Sequence, residues 1–332
     1  MPYPNCFTSS SIGPAPTLHK NFLDRPETVS IYWDDAMIVA SDNPFLRVIH
    51  HCEPPEVFPT IADQIIANKN YYDLIMTYDP RVLAACDNAV FLTESACSWI
   101  DRKSGGTPAP FIHNFPDGPA PLSPTVPNYQ SCDVSKKEYA VSFLTSSKNQ
   151  FPGHRLRQRV YEALPEQVNG LRVWKHRSPP RIDDKRPTLE PYQFSIVLEN
   201  SRHEGYFSEK LIDCFVAKTI PIYWGCPDIH RHFNPEGLLY FTDEVGLDIV
   251  LNNLTPKVYE NLLPAIEENF LRALQTVHQW DIIEHYINEA IYNKHAKGNH
   301  RSEMVIMRVF NPEPQAIVQQ ARRLYRPGKG QQ

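Results

Sequence analysis

The stretch from residue 194 to residue 225 constrains this chain most, because it reads as strand, polar loop, helix and strand without interruption. Phe194 to Leu198 is an apolar run of strand length, Glu209 to Ala217 has helical spacing, and Ile220 to Trp224 is apolar again. A crossover of that length suits parallel pairing of the two strands. The loop between them is polar and carries Gly205. In an open α/β sheet, ligands bind in the crevice beyond the carboxyl ends of the strands. A helix starting there presents unpaired N–H groups and the positive end of its dipole to a phosphate. Lys210 falls in the first helical turn, the end where Lys is ordinarily disfavoured, so an anion is expected beside it. Glu209 could accept hydrogen bonds from sugar or ribose hydroxyls, and Tyr206 could cover a base or sugar ring with its face. Plainer roles stay open: Glu209 as a first-turn acid facing the dipole, and Glu199 and Asn200 as residues that merely fold the loop.

The same alternation extends upstream. Ser30 to Val39 and Phe45 to His50 read as short strands, Thr60 to Asn68 as a helix and Leu74 to Thr77 as a buried strand. From Asp101 to about Lys136 the composition turns to Gly105-Gly106, many prolines and few apolar runs, which suits a linker. A strand at Ala140 to Leu144, a basic segment at His154 to Arg157 and a helix through Val160 to Leu164 then begin a second α/β unit. Helical periodicity runs from Pro256 to Asn293, ahead of a basic tail at Arg322 to Gln332. The expected division is residues 1–133 and 134–332.

Composition narrows the function. At 332 residues, with 42% hydrophobic and 21% charged side chains, the chain can fold around real cores. Its net charge of -5 gives no general attraction to nucleic acid or anionic lipid. No apolar stretch approaches a membrane span, although the basic tail could touch an anionic surface peripherally. Seven cysteines without a repeated short spacing argue against a paired disulfide framework. Cys52, Cys97, Cys214 and Cys226 are expected as buried thiols, and no metal site is predicted. His50, His51 and His113 receive no role. Asp183-Asp184 sits in the charged run 181–186 rather than after a strand, so no metal-binding D-x-D motif is read there.

The wording of the central segment resembles the family-10 glycosyltransferases, the α-1,3/1,4-fucosyltransferases and their relatives. Their donor motif reads approximately F-E-N-S, then Y-x-T-E-K, then I-P-I-Y-W-G. Here it stands as Leu198-Glu199-Asn200-Ser201, Tyr206-Phe207-Ser208-Glu209-Lys210 and Ile220-Pro221-Ile222-Tyr223-Trp224-Gly225, and Pro227 and Phe233-Asn234-Pro235 continue it. The resemblance covers some forty residues here. Residues 141–164 resemble the first strand and helix of the same donor domain. It implies an α/β fold of GT-B type, two facing Rossmann-like domains with a cleft between them, the first binding acceptor and the second binding GDP-fucose. Arg157 matches the family's phosphate-gripping arginine, with Arg155 as fallback, and a guanidinium can pair two phosphate oxygens at once. Glu199, Asn200, Tyr206, Glu209 and Lys210 complete the expected donor set. A solvated helix face remains the plainer reading of Arg157.

The family's base is a glutamate after a strand of the acceptor domain. Glu53 in the stretch Arg47 to Glu56 is the first choice and Glu56 the second, with Glu209 as the further catalytic carboxylate. Such a base deprotonates the acceptor hydroxyl as it attacks the anomeric carbon opposite the diphosphate, giving inversion. A Glu before two prolines also suits a rigid surface turn. No cofactor is required beyond the donor substrate, and a divalent ion could at most stimulate. The partners implied are a nucleotide sugar and a glycan acceptor. The sequence as given carries no anchor of the kind animal and plant relatives have, which suggests a cytoplasmic, bacterial or viral type. Other readings are a relative using another nucleotide sugar, a catalytically silent nucleotide- or glycan-binding protein, and, more remotely, a glycosidase using Glu53 and Glu209.

Overall fold

The computed structural model describes residues 6–9, 29–33, 45–100, 106–108, 125–177 and 184–297. His113, the basic tail and residues 34–39 of the expected second strand lie outside them. The described residues form two largely parallel sheets and a short two-stranded pair, an α/β architecture.

The first sheet runs β1 (Cys6–Ser9), β2 (Val29–Trp33), β3 (Leu46–His51), β4 (Leu74–Thr77), β5 (Ala89–Phe91), each strand parallel to the next. Helices α1 (Ile61–Ala67) and α2 (Pro80–Ala85) connect β3 to β4 and β4 to β5. Because successive strands step in one direction, right-handed crossovers put both helices on the same face. Ile49 and Ile75 meet Ile61, Ile65 and Val82 there. The alternate side chains Leu46, Val48, Leu74 and Met76 face the other way and need a different cover.

After the short antiparallel pair β6 (Gly106–Pro108) and β7 (Thr125–Pro127), the second sheet begins with β8 (Glu138–Thr145). Its further elements are α3 (Pro152–Ala163), β9 (Gln167–Val168), β10 (Leu171–Arg177), β11 (Tyr192–Leu198), α4 (Glu209–Val216), β12 (Ile220–Trp224) and β13 (Leu239–Tyr240). The spatial order is β13-β12-β11-β8-β10-β9, parallel except for β9. Helices α5 (Glu244–Asn253) and α6 (Pro256–Leu274) follow. Lys137 anchors the entry to β8: its ammonium donates to the carbonyls of Glu190 (2.7 Å) and Tyr192 (3.1 Å) and to Thr219 Oγ1 (2.9 Å).

The helical periodicity after Pro256 is two helices, not one. It breaks at residues 275–278, where the chain crosses back to the first sheet, and α7 (Gln279–Lys297) follows. Ser95 Oγ donates to Thr276 O and Gln279 Nε2 to Thr93 O at this crossing. Ile282, Ile283, Ile287 and Ile291 of α7 cover the open face of the first sheet, roughly 1.5–3 kcal/mol apiece for full burial. The expected division at residue 133 therefore needs correcting at its far end: α7 packs with the first sheet, because the one-directional strand order leaves that face bare. Among the described residues no helix is long and apolar enough to cross a membrane.

Candidate functional site

From β8 the chain passes through α3 to β10 on one side, then returns to β11 on the other side of β8. That reversal opens a crevice beyond the carboxyl ends of β8 and β11. The amino end of α3 closes tightly onto the loop after β11: Gly153 N donates to Asn200 O at 3.1 Å. A Cβ at Gly153 would lie 2.1 Å from Glu199 O and 2.5 Å from Asn200 O, so only glycine permits this approach. One turn further, Arg157 Nη2 donates to Asn200 Oδ1 at 2.7 Å, and His154 Nε2 lies 3.1 Å from the same oxygen. Burial and the neighbouring Arg157 lower His154 to about 4, so the ring is neutral. Arg157 is 7% exposed, and its Nε has no hydrogen-bond partner. Arg155, by contrast, points outward and donates to Gln150 O, which leaves Arg157 as the arginine at the crevice.

Glu199 explains the start of α4. It is 0% exposed, and its carboxylate accepts from Ser208 N (3.0 Å) and Ser208 Oγ (2.6 Å). Ser208 in turn caps α4 by accepting from Lys210 N. Gly225 leaves room for the pair, since a Cβ there would fall 2.6 Å from Glu199 Cγ. Lys210 Nζ is drawn into the cluster, 3.0 Å from Ser208 Oγ, 3.3 Å from Glu209 Oε1 and 3.7 Å from Glu199 Oε2. Burial disfavours the charged form of Glu209, but Lys210, Lys185 and hydrogen bonds from Ser208 and Lys210 outweigh it and hold its carboxyl at about 2. The carboxylate is therefore ionised throughout the neutral range.

The first sheet meets this crevice with the loops after β3, β4 and β5. Gly205, at φ +70, lets the loop after β11 pass against Tyr78, where a Cβ would lie 2.4 Å from Tyr78 O. Tyr206 stands edge-on to Tyr78 with centroids 5.2 Å apart and is 3% exposed. Its ring is thus packed between the sheets rather than open to stack on a base. Glu56 accepts from Ser201 Oγ and lies 3.0 Å from His203 Nε2, so its carboxylate is held by the loop that carries the Glu199-Asn200 pair. Those hydrogen bonds and the His203 charge, working against burial, lower its pKa. Glu53 is tied through its backbone, Tyr78 OH donating to Glu53 O at 3.2 Å. Burial raises the Glu53 carboxyl; Lys210 and Lys148 oppose the rise and Glu209 adds to it.

Three further side chains escaped the sequence reading. Lys185 pairs with Asp213 (2.7 Å) and with Glu209 (3.5 Å). His203 contacts Glu56 as above. Glu94, three residues beyond β5, is raised to about 7 by burial, against hydrogen bonds with Cys52 and Gln279 and with the charges of Glu209 and Glu53 adding to the rise. A carboxylate just past an apolar strand was the available signal for Glu94; nothing local marked Lys185. His50, Cys52 and Glu94 hold donor atoms within 4.8 Å of one another, so this group could hold a metal ion where the sequence suggested none. Cys52, Cys97, Cys214 and Cys226 are buried, as expected.

The described residues thus form two parallel α/β sheets that meet at a polar crevice where carboxylates and the cations Arg157, Lys185 and Lys210 gather. Residues 134–241, about a third of the chain, match the family model described as glycosyltransferase family 10 (fucosyltransferase) C-term. The alpha-(1,3)-fucosyltransferase FucT of Helicobacter pylori is 33% identical over 118 residues, 35% of this chain and 24% of that protein. The match thus spans about a quarter of the relative's length. Among solved structures, an alpha1,3-fucosyltransferase with GDP-fucose superposes with a TM-score of 0.47 at 19% identity, covering 88% of this chain and 83% of that one. A second structure of an alpha1,3-fucosyltransferase gives 0.48 at 19% identity, covering 87% and 84%.

Proposed function

We propose that the chain is an inverting glycosyltransferase that moves fucose from GDP-fucose to a hydroxyl of a glycan acceptor, with residues up to about 133 presenting the acceptor. The observation that carries this reading is the convergence at the α4 terminus of Glu209, Lys210 and the Asn200-anchored Arg157. Arg157 and Lys210 bind the diphosphate, helped by the helix dipole. Glu209, ionised and facing two lysines, accepts from donor hydroxyls. Glu199 and Asn200 hold these groups in place rather than touching the reacting atoms.

Glu53 takes the proton of the acceptor hydroxyl as that oxygen attacks the anomeric carbon. The bond from that carbon to the β-phosphate oxygen breaks on the opposite side, GDP leaves with the electron pair, and the configuration inverts. A pKa raised by burial brings Glu53 nearer the operating pH of a general base. The geometry favours Glu53 over Glu56, since Glu56 is already committed to Ser201 and His203.

The test is a thermal-shift titration with GDP, GDP-fucose, GDP-mannose, UDP and UDP-sugars, because a ligand that binds only the native state raises its stability. Stabilisation selective for GDP and GDP-fucose is expected. A UDP-selective response would move the donor to another nucleotide sugar, and no response would leave a silent binder as the reading.

A further inference from the structure

Two lysines meet Glu209, and they differ in what holds them. Lys210 Nζ is shared among Ser208 Oγ, Glu209 and Glu199 at 3.0, 3.3 and 3.7 Å, and it stands at the helix terminus where an anion is received. A diphosphate arriving there competes directly for that ammonium. Lys185 comes from the segment leading into β11, and its Nζ lies 2.7 Å from Asp213 Oδ2 and 3.5 Å from Glu209 Oε1. Asp213 follows Glu209 by four residues, so both carboxylates project from one face of α4. Its side chain is 1% exposed, and the Cys97 thiol packs against it. A buried carboxylate cannot release its counter-ion to solvent without a large penalty, so Lys185 stays where Asp213 puts it.

We propose that Lys185, anchored by Asp213, is a positioning residue that keeps the Glu209 carboxylate aimed at the donor sugar while Lys210 turns to the diphosphate. The inference rests on the reading above that Glu209 receives the sugar. Lys185 and Asp213 then govern recognition of the sugar end of the donor and leave the GDP end to Arg157 and Lys210. Other charged groups near Glu209 do not duplicate this role: Glu53 and Glu94 repel it, and Lys210 is the group the phosphate recruits.

The experiment compares calorimetric affinities for GDP and GDP-fucose in wild type, Lys185→Met/Asp213→Asn, Lys185→Arg and Glu209→Gln. The paired substitution removes both buried charges together, so no uncompensated ion is left in the core. GDP affinity is expected to stay within about twofold, while GDP-fucose affinity falls on the order of 10-fold, as for a misplaced binding group. Lys185→Arg should restore it, and Glu209→Gln should show no further loss when combined with the pair. Equal loss of both ligands, or additive loss with Glu209→Gln, would overturn the proposal. If wild type binds neither ligand, the fucosyl-donor reading fails instead. The positioning contact is then read from a carbon-detected titration of the Glu209 carboxyl, expected to rise by about one pH unit or more in the paired variant. No rise overturns it.

Discussion

Replacing Glu199 by Gln isolates the physical purpose of the Glu-Asn-Ser motif. The wild-type carboxylate accepts two hydrogen bonds from one residue, Ser208 N at 3.0 Å and Ser208 Oγ at 2.6 Å, from a fully buried position. An amide of the same size has one acceptor oxygen, so one of the two must be lost, and its NH2 then faces the Ser208 hydroxyl and the Lys210 ammonium 3.7 Å away. Hydrogen bonds to charged groups are worth about 1.5–3 kcal/mol net, so a loss of about 2–3 kcal/mol in unfolding free energy is expected. The same change loosens the first turn of α4, where the diphosphate is proposed to bind, and GDP affinity should drop about tenfold, or about 1.4 kcal/mol. Urea denaturation followed by tryptophan fluorescence and calorimetry with GDP would measure the two effects on one preparation. A variant within about 0.5 kcal/mol of wild type that binds GDP unchanged would refute the idea that Glu199 builds the site through Ser208.

Gly153→Ala places a methyl group against two backbone carbonyls at 2.1 and 2.5 Å, so α3 must shift; a loss of about 1–3 kcal/mol and a weakened Arg157–Asn200 contact are expected, measured by denaturation and GDP titration. Glu53→Gln should keep donor affinity and abolish transfer, and wild-type turnover should fall on acidification through a midpoint above the ordinary glutamate value, since burial raises that carboxyl and only its ionised form accepts a proton. Unchanged turnover in the variant removes Glu53 from its role. His50 is lowered to about 3 by burial and by His51, so the unfolded chain takes up a proton below pH 6.5 that the native state refuses. Its contribution is thus present above the unfolded value and lost as pH falls towards 3, about 2 kcal/mol between pH 7 and pH 5. Stability curves at the two pH values, with His50→Gln flattening the difference, check the sign and the size.

The sequence alone determined the local elements wherever a periodicity was long or a motif dense. Leu74–Thr77 and Ile220–Trp224 were legible to the residue, and α4 to one residue, because apolar runs bounded by turn signals admit few alternatives. The crevice was legible too, since a strand emptying into a polar loop before a helix fixes where N–H groups and a dipole point. What only the tertiary structure decided was which side chains share that crevice. On paper Arg157 is the first choice and Arg155 the fallback, and the pitch of α3 against Gly153 turns Arg155 outward and Arg157 to Asn200. Tyr206 reads as a stacking ring until the first sheet arrives and buries it against Tyr78. Glu56 is taken up by Ser201 and His203, Lys185 is brought to Glu209 by the entry to β11, and α7 returns to cover a sheet laid down some 200 residues earlier. Each of these depends on contacts between segments distant along the chain, and no local spacing encodes which distant partner will claim a side chain.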